Sequence, residues 1–136
     1  MLPSLQKNEP LAFAKMAGAG NDFVVIDNRS NRLGDPSDLA RRICTRRLSV
    51  GADGLILIET SARATFRMRY FNSDGSLADF CANGTRCAAR FALLGVIAPR
   101  RMTIETDAGI IGAEIGCGQL AFQFRNNRLL QPIKRQ

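Results

Sequence analysis

The sequence has no histidine, no tryptophan and only three lysines among its 136 residues. Without histidine, the chain itself cannot supply a Ser-His-Asp or Cys-His catalytic set or a histidine-ligated metal site, and we expect no metal. No uninterrupted apolar run exceeds four residues, as in Leu55-Ile56-Leu57-Ile58, whereas a bilayer-spanning helix needs roughly 20. The first residues also lack the pattern of a signal peptide. We therefore expect a cytoplasmic protein with no membrane partner.

The composition is that of a globular domain with an excess of arginine. Hydrophobic residues make up 46% and charged residues 23%, and the net charge is +7. A basic chain invites a nucleic-acid interpretation, but the arginines are dispersed and do not alternate with aromatic residues as in RNA-binding segments. A solvated surface, or a pocket for an acidic small molecule, explains them as well, and we expect no nucleic-acid partner. The length predicts one domain over 1–136, with 1–10 a leader and 126–136 a tail without a clear pattern.

Four cysteines offer no metal or redox pair. None of them forms a Cys-x-x-Cys motif, and a disulfide framework is not expected in a cytoplasmic chain. Each is therefore first interpreted as a small buried apolar residue. The four are Cys44, Cys81, Cys87 and Cys117.

The hydrophobic pattern predicts a mixed arrangement of helices and strands. One helix is capped by Ser37 or Asp38 and runs to about Arg47, and a second runs from Asn83 to about Leu94. The second is apolar almost all round, which is typical of a helix enclosed by its own domain. Strands are predicted over 11–16, 23–27, 53–59, 65–71, 102–107, 110–115 and 120–125. The fold class is therefore α+β, an antiparallel-leaning β-sheet rolled around a central hydrophobic helix.

One cysteine lies where a thiol can do chemistry. Cys81 directly precedes the second helix, and a helix N-terminus offers free N–H groups and favours the thiolate form of a cysteine. The N–H groups of Ala82, Asn83 and Gly84 can receive a carboxylate there. Such a site suits removal of the proton next to the carboxylate of an amino acid. The alternative is that Cys81 is simply buried and Asn83 only caps the helix.

Five motifs in one order narrow this choice. Together they resemble the N-terminal half of the diaminopimelate epimerase family, over roughly residues 13–115, and five motifs in register are far more specific than any one alone. They are GAGNDF at 18–23, GADGLI at 51–56, NSDGS at 72–76, CANGTRC at 81–87 and TIETDAG at 103–109.

The resemblance implies a cofactor-independent epimerase that interconverts LL- and meso-diaminopimelate in lysine biosynthesis. Family members have two similar halves, each a β-sheet rolled around a helix, and each half contributes one cysteine of an acid/base pair. Cys81 corresponds to the N-terminal member of that pair. Asn21 and Asn72 correspond to substrate-contacting asparagines. Ala82 and Asn83 correspond to the pair whose backbone N–H groups hold the α-carboxylate, and no cofactor is implied.

Two departures from the family leave alternatives open. Ala82 stands where the family has glycine, which tolerates backbone angles and close approaches that alanine resists. The second cysteine belongs to a half that this sequence does not resemble, so the opposing acid would come from a homodimer partner or a separate C-terminal-half chain; Cys117, at a predicted strand turn, is a poor substitute. The other hypotheses are a fragment, a degenerate member acting as a non-catalytic binding domain, and a related racemase acting on proline or hydroxyproline.

Overall fold

The computed structural model describes residues 10–78, 81–116, 119–124 and 133–134. The leader, apart from Pro10, and most of the predicted tail lie outside these residues, as does Cys117. No helix in the described part of the chain is long and apolar enough to cross a membrane.

Two helices and nine strands make up the described fold. The helices are α1 (Pro36–Ile43) and α2 (Ala82–Leu94). The strands are β1 (Ala14–Gly18), β2 (Asn21–Asp27), β3 (Gly54–Glu59), β4 (Phe66–Asn72), β5 (Leu77–Ala78), β6 (Arg101–Thr106), β7 (Gly109–Ile115), β8 (Gln119–Phe124) and β9 (Ile133–Lys134).

All described strands belong to one mixed sheet that curls around α2. The strand order is β1-β2-β3-β4-β6-β7-β8-β9, with the short β5 pairing beside β4. Most neighbours are antiparallel, but β2 pairs with β3, and β4 with β6, in parallel. The predicted α+β class and the sheet rolled around a hydrophobic helix are confirmed.

Period-two alternation divides the core between the two faces of the sheet, because successive strand side chains point to opposite sides. On the concave face, alternate strand residues such as Phe23, Ile56 and Met68 pack with α2. On the opposite face, residues such as Val24 and Leu55 pack with α1.

Small side chains let α2 lie close to the sheet. Its alanines Ala88, Ala89 and Ala92 are fully buried and pack in the concave core. A small residue brings the helix axis nearer to the strands than a leucine would, so the position of the helix N-terminus is closely determined by packing.

The first helix begins earlier and ends earlier than its sequence pattern predicts. The predicted cap at Ser37 or Asp38 is wrong. Asp35 is the cap and accepts a hydrogen bond from the Asp38 backbone N–H at 3.2 Å, with Pro36 in the first turn, a position that proline favours. The predicted extension to Arg47 is also wrong, because Arg47 has a left-handed φ of 72°, which cannot continue a right-handed helix.

The first strand is displaced towards the glycine-rich motif. The sequence pattern predicts it over 11–16, but β1 begins at Ala14 and pairs through Gly18 with Asn21. The turn between β1 and β2 places Ala19 at φ 54° and Gly20 at φ 92°. Two consecutive residues with positive φ form the kind of turn that matches the twist of a tight hairpin, which fixes the register of the pair.

The join between β4 and β6 is short, and side chains reinforce it. Only two residue pairs are in parallel register there, Phe66 with Ile104 and Arg67 with Glu105. The Thr65 backbone N–H donates to the Thr103 carbonyl oxygen at 3.0 Å. The Arg67 guanidinium lies 3.3 Å from the Glu105 carboxylate. Polar side chains therefore supplement a short backbone ladder at this join.

The concave core predicts a contrast between two large-to-small substitutions. Ile58→Ala removes a fully buried side chain and should lower the free energy of unfolding by about 2–5 kcal/mol. Leu48→Ala removes a side chain that is 87% exposed and should change it by less than about 0.5 kcal/mol. Urea denaturation of both variants measures the contrast. Equal losses would contradict this assignment of the core.

Candidate active site

The predicted site residues gather at one edge of the sheet. Strands β2 and β3 are parallel and begin there, and the antiparallel β4 ends there, so Asn21, Gly54 and Asn72 occupy neighbouring strand ends. These three share strand parity with residues of the concave core, so they lie on the face covered by α2. The site is therefore a corner between three strand ends and a helix N-terminus.

Cys81 is the N-cap of α2. Its backbone is extended, at φ −143° and ψ 113°, and its Sγ accepts a hydrogen bond from the Gly84 N–H at 3.3 Å. The Thr85 N–H and hydroxyl both donate to the Cys81 carbonyl oxygen, at 2.8 and 2.7 Å. The cysteine is half-buried against the concave core. Its sulfur is thus held at the positive end of the helix.

At this helix end, the described residues leave two backbone N–H groups for a carboxylate. The Gly84 N–H, one of three donors expected from the sequence, is instead directed at the Cys81 sulfur. The N–H groups of Ala82 and Asn83 have no acceptor among the described residues. Ala82 is helical and exposed at the first position of α2. Alanine therefore meets no conformational obstacle at this position.

A chain of side-chain hydrogen bonds joins the helix end to the strands. Asn83 Nδ2 donates to Asn21 Oδ1 at 2.8 Å, and Asn21 Nδ2 donates to Asp53 Oδ2 at 3.2 Å. All three residues are half-buried. The structure therefore brings Asn21 and Asn83 together, and it adds Asp53, to which the sequence analysis assigned no role. The signal was present as the only carboxylate of the 51–56 motif.

Asp53 is itself fixed by Asp22 and Arg46. The two aspartates exchange hydrogen bonds: Asp22 N–H donates to Asp53 Oδ2 at 3.0 Å, and Asp53 N–H donates to Asp22 Oδ1 at 2.9 Å. Arg46 lies 2.8 Å from the Asp22 carboxylate and 3.4 Å from that of Asp53. The hydrogen bonds from Arg46 hold the pKa of Asp22 well below its usual range. The Asp22 carboxylate therefore remains ionised beside its arginine.

Asn72 lies at the same sheet edge but bonds within its own turn. Its Nδ2 donates to the Ser76 hydroxyl at 3.0 Å, and its backbone N–H donates to the Ser76 carbonyl oxygen at 2.8 Å. No hydrogen bond within the described part of the chain joins it to Asn21, Asn83 or Cys81. The structure thus places Asn72 near the site without connecting it to the other predicted residues.

Tyr70 forms a wall of the site that the sequence analysis did not identify. A side chain built at Gly54 would come within 2.6–2.8 Å of the outer atoms of the Tyr70 side chain, so a larger residue there would force the Tyr70 ring to move. The ring also packs edge-on against Phe23, with centroids 5.7 Å apart. Burial, reinforced by the nearby Cys81 and Asp53, raises the pKa of Tyr70 to about 12. The phenol is therefore neutral at physiological pH and available as a hydrogen-bond donor.

The other described cysteines are structural. Cys44 and Cys87 are each 4% exposed. Burial raises the pKa of Cys44, and it raises that of Cys87 to about 11. Neither is therefore suited to forming a thiolate, and the expectation that Cys87 is a core residue is confirmed.

A cavity of about 400 Å³ lies at the far end of β2 and does not include the predicted site residues. It is bounded by Pro10, Leu11, Ala12, Phe13, Ala14, Ile26, Asp27, Asn28, Ser30, Arg32, Leu33 and Phe91. The candidate site is instead the open corner at the other end of that strand.

Many of the arginines are paired with carboxylates. Arg69 contacts Glu59 at 2.7 Å, and Arg29 contacts Asp27 at 2.9 Å. Further pairs join Arg41 and Arg42 to Asp38, Arg63 and Arg67 to Glu105, and Arg101 to Glu114. This distribution favours a solvated surface over a phosphate-binding track.

The chain is similar to known epimerases. Residues 13–119 match the model of the family described as diaminopimelate epimerase. The chain is 50% identical over 107 residues to "Diaminopimelate epimerase" of Desulforudis audaxviator, and the match covers 77% of this chain and 38% of that relative. The protein of that name from Aquifex aeolicus is 44% identical over 115 residues, covering 77% and 41%. The chain thus spans about two fifths of the length of these curated relatives.

Solved structures share the fold at low sequence identity. A hydroxyproline epimerase from Agrobacterium vitis aligns with a TM-score of 0.62 and 13% identity, over 82% of this chain and 40% of that chain. A Bacillus anthracis phenazine biosynthesis protein of the PhzF family aligns with a TM-score of 0.60 and 24% identity, over 84% and 38%.

The burial of the cysteines predicts their order of reaction with a thiol reagent. Cys81 should be alkylated by iodoacetamide well before Cys44 and Cys87, whose burial restricts access and disfavours the thiolate. Peptide mass spectrometry on a time course resolves each site. Alkylation of Cys87 in the folded protein as fast as that of Cys81 would contradict the geometry.

Tyr70 can be titrated directly, because the chain has one tyrosine and no tryptophan. The ultraviolet absorbance of its phenolate should appear with a midpoint near pH 12 in the folded protein and near about 10 in denaturant. Between those two values the unfolded state has lost the proton and the folded state has kept it, so the free energy of unfolding should fall as pH rises. A folded-state midpoint at the denaturant value would show that the ring is solvated.

Proposed function

The chain belongs to the diaminopimelate epimerase family, and on that premise we propose that it supplies one half of an amino-acid epimerase site. Cys81 is the acid/base group of this half. Its thiolate takes the proton from the α-carbon of diaminopimelate, and an opposing thiol delivers a proton to the other face of that carbon. No group is transferred and no redox change occurs, so no cofactor is required for the proton balance.

The position of the Cys81 sulfur carries the proposal. It lies at the N-terminus of α2, 3.3 Å from the Gly84 nitrogen. The N–H groups of Ala82 and Asn83 lie on the same helix turn and have no acceptor among the described residues, so they suit a carboxylate. An α-carboxylate bound there would hold the α-carbon beside the sulfur. The positive helix end would also stabilise the negative charge that develops when the proton leaves.

The neighbouring side chains suit the rest of an amino-acid substrate. We assign substrate contacts to Asn21 and Asn72, because both lie at the sheet edge that faces this helix end. The backbone of Ala82 and Asn83 binds the carboxylate. Neutral amides and N–H donors fit a zwitterionic substrate, whose carboxylate and ammonium groups need both donors and acceptors.

The second thiol comes from outside the described part of this chain. Cys44 lies on the opposite face of the sheet, in the core with α1. Cys87 is buried further along the same helix. We propose that a second copy of this chain, or a separate chain corresponding to the other half of the relatives, brings the opposing thiol. Symmetric association would present Cys81 twice across one substrate.

Exchange of the α-proton in D₂O tests this function. LL-diaminopimelate is incubated with the purified chain alone, over a range of concentrations, and with the C-terminal half of a curated relative added as a separate polypeptide. Loss of the α-proton signal is followed by NMR. We expect exchange with the added half-chain, or exchange that rises with the square of chain concentration if two copies assemble. Cys81→Ala should lower the rate at least about 100-fold.

Cys44→Ala is the matched control, because it removes a thiol on the other face of the sheet. It should leave the exchange rate unchanged. Exchange by Cys81→Ala at the unsubstituted rate would contradict the proposal. Ligand binding without exchange, in every mixture, would favour a non-catalytic binding domain.

A further inference from the structure

The Asp53 carboxylate determines which way the side-chain amides of Asn21 and Asn83 turn their NH₂ groups and their oxygens. Asn21 donates its Nδ2 to Asp53 at 3.2 Å and accepts from Asn83 Nδ2 at 2.8 Å. An ionised carboxylate can only accept, whereas an amide has one donating end and one accepting end. Asn21 must therefore turn its NH₂ group towards Asp53. Its oxygen then faces Asn83, which must in turn present an NH₂ group.

We propose that Asp53 is a positioning residue that sets the amide polarity of Asn21 and Asn83 at the carboxylate-binding end of α2. The hydrogen bonds from Asp53 through Asn21 to Asn83 form a relay, and its importance for catalysis rests on the function proposed above. The chain of hydrogen bonds runs from an anchored anion, through one amide, to a second amide on the same helix turn as the reacting sulfur. Within the described part of the chain, the group that fixes its direction is Asp53.

The anchoring of Asp53 explains why it can act in this way. Asp53 Oδ2 also accepts the Asp22 backbone N–H at 3.0 Å, and the Asp53 N–H is bound to the carbonyl oxygen and side chain of Asp22, both at 2.9 Å. Arg46 lies 3.4 Å from the other carboxylate oxygen. The carboxylate thus has little freedom to rotate away from Asn21.

The polarity determines what Asn83 can offer to a ligand. With its NH₂ group directed at Asn21, the side-chain oxygen of Asn83 is left as an acceptor, while its backbone N–H remains a donor. An amino acid presents a carboxylate, which accepts, and an ammonium group, which donates. Reversal of the two amides would replace that acceptor with an NH₂ group, which would repel an ammonium group.

Reversing the charge pattern tests the relay. Asn83→Asp places an acceptor opposite the Asn21 oxygen, and Asp53 prevents Asn21 from turning over, so the variant should melt at a lower temperature than the unsubstituted chain. Asp53→Ala removes the acceptor that faces Asn21, so Asn21 can then turn its NH₂ group towards the new carboxylate at position 83. The Asp22 N–H loses its acceptor in every chain that carries Asp53→Ala, so that loss cancels in the comparison. We expect Asn83→Asp to lower the melting temperature by at least about 4 °C less in the Asp53→Ala background than in the unsubstituted chain, and this smaller loss is the rescue that the relay predicts.

Whether Asn83→Asp raises or lowers the stability of the chain distinguishes the relay from a role in the helix alone. An aspartate in the first turn of a helix interacts favourably with the helix dipole, so Asn83→Asp would be neutral or stabilising if residue 83 served only the helix. Asn83→Asp in an Asp107→Ala background is the matched control, because Asp107→Ala also removes a carboxylate, from the β6–β7 turn next to Arg67. Rescue no greater than that of the control, or an Asn83→Asp variant as stable as the unsubstituted chain, would overturn the relay.

A second measurement separates positioning from local support. In the single variant Asp53→Ala, the side-chain ¹⁵N–¹H₂ signal of Asn83 should shift or split, although Asp53 hydrogen-bonds to Asn21 and not to Asn83. An unchanged Asn83 signal would overturn the proposal. Neither measurement uses a substrate or the opposing thiol, so the relay can fail while α-proton exchange persists, and exchange can fail while the relay stands.

Discussion

Close packing of α2 against the concave face of the sheet is the constraint on which the site depends. The buried alanines of the helix bring it down onto strands β2, β3 and β4, and the cap at Cys81 then fixes where the first turn begins. A thiol on a loop would be placed by whatever holds that loop. This thiol is placed by the core, so the geometry of the proposed chemistry is a consequence of the packing that stabilises the fold.

The alternation of strand side chains between the two faces of the sheet builds the core and also determines which residues line the site. The parity that buries Phe23 and Ile56 places Asn21 and Gly54 on the helix side, one step beyond the hydrophobic rows. The polar corner is therefore a continuation of the core rows at the strand ends. Gly54 shows the steric limit of this arrangement, since the Tyr70 ring occupies the space of its missing side chain.

Much of this could be predicted from the sequence, because the strands and α2 carry strong periodic patterns. The buried run from Leu55 to Ile58 and the alternation from Phe66 to Tyr70 are cases where local pattern and tertiary environment agree. The limits of α1 could not be predicted, because Arg46 binds Asp22, 24 residues away, in a segment that is locally suited to helix. The roles of Asp53 and Tyr70 could not be predicted from the sequence either, because they arise from contacts between strands. Cys81 could be predicted, because its position directly before a helix can be read from the neighbouring sequence.

The short join between β4 and β6 suggests the order in which the strands join the sheet during folding. The described strands β6 to β9 are attached to the sheet through that join, and the bond between Thr65 and Thr103 closes a span of 38 residues. Closing so long a loop has a conformational cost that is recovered only once the contacts across it form. The β6–β7 hairpin, by contrast, can form from neighbouring residues. We therefore expect the hairpin to dock late in folding, so that one flank of α2 is covered only after Cys81 and its strand ends are in place.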